Sequence, residues 1–128
     1  MVGIVVVSHS RDIAGGTVAL AGQMAGPDVR IVAAGGAPDG GLGTDAERVR
    51  AAIAAADAGD GVVVLGDLGS AFLTVREVLA GGEGNGHVKL LDAPLVEGAV
   101  TAAVTASAGL PLADVAAAGE DARGRAKL

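Results

Sequence analysis

The sequence contains no cysteine, no tryptophan, no tyrosine and a single phenylalanine among its 128 residues. The missing cysteine removes thiol catalysis, disulfides and thiolate metal ligation together. The missing aromatics and the net charge of −6 deny a nucleic-acid partner both the stacking platforms and the basic stripe it needs. The amino-terminal apolar run is too short to cross a bilayer and has neither a basic flank nor an A-x-A cleavage site. A soluble cytoplasmic protein without membrane or nucleic-acid contacts is expected. What remains is a chain that is 51% hydrophobic with 22 glycines, so the core must be built from Ala, Val, Leu and Ile. The length suits one domain.

Ile4-Val5-Val6-Val7 is an unbroken β-branched run, as in a strand buried on both faces. It stops at Ser8-His9-Ser10, and Ser10 suits the N-cap of a helix from about Arg11 to Met24. Ile13, Leu20, Ala21 and Met24 form the expected apolar face of that helix; Gly15 and Gly16, which cost helix propensity, read as sites of close helix–sheet packing, with room for a ligand or partner beside His9 as the alternative. Val29 to Ala34 begins in alternation, which places a second strand nearer the sheet edge. The loop from Gly35 to Gly43 has no lysine and no Gly-Lys-Ser/Thr after it, so it is not a P-loop. Thr44-Asp45-Ala46-Glu47 matches a capping box with Thr44 as N-cap, opening a helix to about Ala58.

Val62 to Leu65 is the second unbroken apolar run, and it ends in Gly66-Asp67-Leu68-Gly69-Ser70 before a helix from about Ser70 to Ala80. His87 to Leu91 alternates as the other edge strand. Asp92-Ala93-Pro94 opens a fourth helix, with Pro94 suited to the first helical position and Leu95, Val96, Ala99, Val100, Ala103 and Val104 facing inward. A short helix from Pro111 to about Ala118 closes a domain of residues 1–118, leaving 119–128 as a charged tail.

Strand and helix alternate through four repeats, which calls for an α/β three-layer sandwich: a mostly parallel four-stranded sheet with helices on both faces. The two unbroken runs belong inside and the alternating ones outside, giving the order 2-1-3-4. The order reverses between strands one and three, and ligands bind at such a switch point outside the carboxyl ends of the strands. That brings Ser8-His9-Ser10 beside Asp67-Leu68-Gly69-Ser70, while His87 falls at the opposite edge, so the two histidines cannot share a metal.

Asp67 can accept a hydrogen bond from one ring nitrogen of His9 and leave the other as a lone pair facing solvent. Helix amino-terminal amides, with Ser10, Gly69 and Ser70, can stabilise phosphoryl oxygens. No serine elbow, second close carboxylate or second histidine points to hydrolase or zinc chemistry. Nucleophilic phosphoryl transfer through His9 uses every part present. The alternative is that His9 is a surface loop residue and Asp67 a helix cap.

The segments Val5-Val6-Val7-Ser8-His9-Ser10, Gly43-Thr44-Asp45, Gly66-Asp67-Leu68-Gly69-Ser70-Ala71 and Ala93-Pro94-Leu95-Val96-Glu97-Gly98 together resemble one family. It is the phosphotransfer subunit (DhaM) family of phosphoenolpyruvate-dependent dihydroxyacetone kinases, whose amino-terminal domain is similar to mannose-family enzyme IIA proteins. The resemblance implies a phosphohistidine intermediate on His9, formed from the phosphocarrier HPr and passed to ADP in the kinase subunit DhaL. The resulting ATP then serves dihydroxyacetone held by DhaK. It implies Asp67 as orienter of the imidazole, no bound cofactor, and a homodimer. Some relatives carry HPr-like and enzyme-I-like domains after this one, so a free HPr is the expected donor here. Two other readings stay open: the enzyme IIA of a mannose-family sugar permease, and a non-catalytic regulatory domain of the same fold.

Overall fold

The computed structural model describes the backbone of residues 1–128 and every side chain except that of Asn85. Strand β1 (Gly3–Ser8) is buried along its whole length, because its β-branched side chains fill both faces and both its edges are paired. On one side it runs parallel to β2 (Ile31–Gly35), with Ile4 beside Ile31 and Ser8 beside Gly35. On the other it runs parallel to β3 (Val62–Gly66), with Gly3 beside Val62 and Val7 beside Gly66. Strand β4 (Val88–Leu90) pairs with β3 and completes a four-stranded sheet of order 2-1-3-4. This is the expected order, and among the described residues every pairing is parallel.

Helices α1 (Arg11–Ala25), α4 (Leu95–Ser107) and α5 (Leu112–Asp121) cover one face of the sheet, closing over Ile4, Val6, Val63 and Leu65. Helices α2 (Ala46–Ala56) and α3 (Gly69–Ala80) cover the other, over Val5, Val7, Val62 and Val64. Each fully buried Val, Ile or Leu contributes about 1.5–3 kcal/mol relative to an exposed one, so strands β1 and β3 supply the centre of both cores. Helix–sheet contact is close where a side chain is missing. A Cβ on Gly98 would stand 2.7 Å from Leu65 Cδ2, and one on Gly35 would stand 2.8 Å from the Ser10 carbonyl.

Several expectations are corrected. In α1 the buried residues are Ala14, Thr17 and Ala21, while Ile13, Leu20 and Met24 are 51%, 47% and 61% exposed. The helix lies close to its neighbours through small side chains, and the large ones on its adjoining stripe are left outside. Gly15 and Gly16 are not packing glycines, since a Cβ at either position would meet nothing within 4 Å. In α4, Gly98, Ala99, Ala102, Ala103 and Ala106 are buried, whereas Val96 and Val104 are exposed; again the inner stripe is the small-residue one.

Helix caps shift by one residue. Asp45, not Thr44, caps α2 and accepts from the Arg48 N–H at 3.1 Å. The Thr44 hydroxyl is engaged instead with Thr74 Oγ1, 2.7 Å away on α3. Pro94 is the residue before α4 rather than its first, with extended backbone that suits a residue about to enter a helix. Helix α5 continues through Asp121, beyond the expected end near Ala118, and a 3-10 turn follows over Ala122–Gly124. Gly119 and Ala122 are buried, and the Glu120 carboxylate accepts from the Asp92 N–H at 3.0 Å. The segment after 118 is therefore held against the α4 entry as far as Ala122.

Candidate active site at the carboxyl edge of the sheet

Ser8 is the last residue of β1, and its neighbour β3 ends one residue before Asp67. Because Val7 is level with Gly66 across the pair, the two strand exits are adjacent and their polar residues meet at once. Asp67 is the hub. Its Oδ2 accepts from the Ser8 hydroxyl at 2.8 Å and from the His9 backbone N–H at 2.9 Å. Its Oδ1 lies 2.9 Å from His9 Nδ1 and also accepts from the Leu68 N–H at 2.7 Å.

These contacts decide the charge on Asp67. Burial pushes its carboxyl up, but the hydrogen bonds from the His9 backbone, the Ser8 hydroxyl, the His9 ring and the Leu68 backbone together hold it below the usual carboxylate range. An ionised Asp67 can only accept, so the proton between them belongs to His9 Nδ1. In the neutral ring Nε2 then carries the lone pair. It stands 2.5 Å from Ser70 Oγ, whose hydroxyl is the donor in that contact. The His9 side chain is 24% exposed and that of Asp67 14%, so the ring is held from one side and open on the other.

Three of the expected site residues, His9, Asp67 and Ser70, are thus brought into one hydrogen-bonded row. The other two stand beside it without touching the ring. Ser10 Oγ caps α1 by accepting from the Ile13 N–H at 3.2 Å. Gly69 is the first residue of α3, an amino terminus with no side-chain cap. His87 lies just before β4, its carbonyl accepting from Val62 N–H at the amino end of β3, at the opposite edge from His9 as expected. Among the described residues no group of three metal-binding side chains comes together.

Sequence reasoning passed over Ser8 as a working member of the site. It is fully buried, donates to Asp67 and accepts from the Ser10 N–H at 3.0 Å. The available signal was a hydroxyl inside an otherwise apolar strand, a group that must find a partner when buried. The loop of residues 36–43 also contributes: the Gly43 N–H donates to the His9 carbonyl at 2.9 Å and the Gly36 N–H to the Ser8 carbonyl at 3.2 Å. Two cavities border the site. One of about 700 Å³ runs along the β2 edge between α1 and α2, and one of about 510 Å³ borders Asp67, Pro94 and Arg123. His9 lines neither of them.

Comparison with known proteins gives a consistent set of relatives. The family model described as PTS system fructose IIA component (EIIA-man) matches residues 3–116. The phosphoryl donor subunit DhaM of PEP-dependent dihydroxyacetone kinase 2 from Listeria innocua is 40% identical over 106 residues, covering 81% of this chain and 85% of that one. The DhaM of the Escherichia coli kinase is 42% identical over 115 residues, covering 85% of this chain but 24% of that one. The chain thus spans about a quarter of the longer DhaM proteins and most of the shorter ones. A crystal structure of a protein of unknown function superposes with a TM-score of 0.86 at 32% identity, covering 100% of this chain and 99% of that one. The phosphotransferase system component EIIA of Streptococcus agalactiae superposes with a TM-score of 0.70 at 18% identity, covering 97% and 93%, a likeness of fold.

Proposed function

The chain belongs to the PTS system fructose IIA component family and to its DhaM group, and on that premise we propose that it is a phosphohistidine relay centred on His9. It takes a phosphoryl group from phospho-HPr and passes it to ADP bound in the kinase subunit DhaL, supporting phosphorylation of dihydroxyacetone on DhaK. The observation that carries this reading is the division of the imidazole. Asp67 takes Nδ1, while Nε2 is left at the surface beside Ser70.

In the first step the Nε2 lone pair attacks phosphorus, and the donor's P–N bond breaks with its electron pair returning to the donor histidine. The phosphorylated ring is cationic and keeps the proton on its own Nδ1, donated to the Asp67 carboxylate, whose charge offsets it. The incoming group takes the place of the Ser70 hydroxyl at Nε2, and that hydroxyl turns to donate to a phosphoryl oxygen. The uncapped amino terminus of α3 at Gly69 and the α1 entry at Ser10 add favourable dipoles for the same oxygens. In the second step a terminal phosphate oxygen of ADP attacks, and the P–N electron pair returns to Nε2. No cofactor takes part, and the chain turns over only with its partner subunits. A nucleophile that is 24% exposed and lines neither cavity beside the site supports transfer between docked macromolecules. Association as a homodimer and residence in the cytoplasm complete the reading; no helix among the described residues is long and apolar enough to cross a membrane.

The test is reconstitution. With phosphoenolpyruvate, enzyme I and HPr the protein should gain one acid-labile, alkali-stable phosphoryl group, and ATP should form only when DhaL and ADP are added. The family description, which names a fructose IIA component, keeps the sugar-permease reading as the second. Passage of the phosphoryl group to a sugar-specific IIB protein, with none to DhaL-bound ADP, would establish it. Absence of any labelling would leave the regulatory domain.

A further inference from the structure

Helix α3 brings Ser70 to the reactive nitrogen of His9, yet little at its start holds that serine in place. Its amino terminus has no side-chain cap, and its first residue is Gly69, of weak helix preference. Leu68 and Ser70 are both exposed. Ala71 and Val75 are buried and seat the helix on the sheet, but they lie roughly 100–140° around it from Ser70. Thr74, one turn on, is only ~40° away. Its Oγ1 lies 2.7 Å from Thr44 Oγ1 and donates to the Ser70 carbonyl at 3.4 Å. A hydroxyl has one proton to give, so the proton between the two threonines is that of Thr44. Thr44 in turn follows Gly43, whose N–H donates to the His9 carbonyl at 2.9 Å. A ring of contacts thus runs from the His9 carbonyl through Gly43, Thr44, Thr74 and Ser70 back to His9 Nε2. Besides His9–Ser70, Thr44–Thr74 is the only hydrogen bond among the described residues that joins a side chain of α3 to a distant part of the chain.

We propose that Thr44 and Thr74 are positioning residues for phosphoryl transfer, their paired hydroxyls holding Ser70 Oγ against His9 Nε2. This role rests on the relay reading of His9 and adds to it the means by which the Nε2 side is set. Helices α2 and α3 already share an apolar core through Val49, Ile53, Val75 and Val78, so one further hydroxyl contact adds little to their association. What it adds is direction. Apolar packing is non-directional and leaves the first turn of α3 free to roll, which would swing the Ser70 hydroxyl away from the ring. A 2.7 Å hydrogen bond on nearly the same side of the helix opposes that roll. The hydroxyl is then in place before the donor arrives, and a donor fixed in advance costs no reorganisation as charge develops. Asp67 sets the ring from the Nδ1 side, and the threonine pair sets its neighbour on the other.

Thr74→Val keeps the shape of the side chain and removes the hydroxyl. It should leave the circular dichroism spectrum unchanged and slow rapid-quench transfer from phospho-HPr by about tenfold, part of the ~10²–10³-fold that losing an oxyanion donor costs. Thr44→Val should do the same; Thr44 lies outside any helix, so it carries the test should valine unsettle α3. Thr74→Ser keeps the hydroxyl and should transfer close to the wild-type rate. On a Ser70→Ala background Thr74→Val should add no further loss, because the group it positions is gone. In the unphosphorylated protein the nitrogen-15 resonance of His9 Nε2 should move in Thr74→Val toward its place in Ser70→Ala. Wild-type transfer with an unmoved Nε2 resonance in Thr74→Val would overturn the proposal, as would a tenfold loss that persists on the Ser70→Ala background. The resonance needs no phosphoryl donor. If the wild-type chain takes up no phosphoryl group, the relay reading fails by itself, and the Nε2 resonance alone decides whether the pair holds Ser70 on the ring.

Discussion

Asp67 holds His9 at two points, the backbone N–H through Oδ2 and the ring Nδ1 through Oδ1, each at 2.9 Å. One carboxylate therefore sets where the residue sits and which way its ring faces. The backbone contact positions the turn after β1, and the ring contact chooses the tautomer.

Asp67→Asn tests that relationship. The amide has one oxygen where the carboxylate has two, so it cannot accept the same set of hydrogen bonds. The fold should persist by circular dichroism, with phosphoryl transfer slowed by about 10²–10⁴-fold. Transfer at the wild-type rate would reduce Asp67 to a structural brace.

His9→Ala should abolish phosphorylation by phospho-HPr, and His87→Ala should leave it intact, because His87 sits at the amino end of the sheet. Mass spectrometry of the intact protein after incubation reads both. Label on the His9→Ala protein would remove His9 from the mechanism.

Ser70→Ala deletes the hydroxyl 2.5 Å from Nε2 without disturbing Asp67. Loss of one donor to a developing oxyanion costs about 10²–10³-fold in rate, so rapid-quench transfer should fall within that range while melting is unchanged. A rate within twofold of wild type, about 0.4 kcal/mol on the barrier, would mean that Ser70 is a bystander.

Acid should weaken the fold through Asp67. Its folded pKa lies below the ordinary carboxylate value, so the unfolded chain binds the proton more readily. The stabilisation is fully present well above the unfolded value and is lost as pH falls through the lower folded one. The stability gap between wild type and Asp67→Asn should be constant from about pH 7 to about pH 5 and should narrow as the pH falls further into acid. Urea titrations at those pH values check it, and a gap that widens with acid would contradict the sign.

Ser8→Ala leaves Asp67 without one donor and the Ser10 N–H without its acceptor. Stranding buried polar groups costs about 1–3 kcal/mol, so the midpoint of urea unfolding should drop. Transfer should slow as well, because Asp67 loses part of what holds it. An unchanged midpoint would show that water replaces the hydroxyl.

The sheet order was legible because burial pattern follows directly from composition along a strand. Ile4–Val7 and Val62–Leu65 have no polar side to turn outward, so they belong inside, and the alternating segments belong at the edges. With sequence-consecutive strands paired at each edge, that gives the observed order, which places His9 beside Asp67. The helices were less legible. In α1 and α4 both the small and the large apolar residues occur at helical spacing, and a hydrophobic pattern read alone favours the large ones. The fold selected Ala14, Ala21, Ala102 and Ala106 because close helix packing rewards short side chains, and it left Leu20, Met24 and Val104 outside. The cap of α2 likewise falls to Asp45, while the Thr44 hydroxyl pairs with Thr74 on a distant helix. The local sequence therefore determined the strands, their order and the edge where chemistry gathers, since these depend on side-chain polarity in chain order. Tertiary structure decided which nitrogen of His9 faces Asp67 and which faces Ser70, that Ser8 supports Asp67, and which face of α1 meets solvent, because each depends on atoms far apart in the chain.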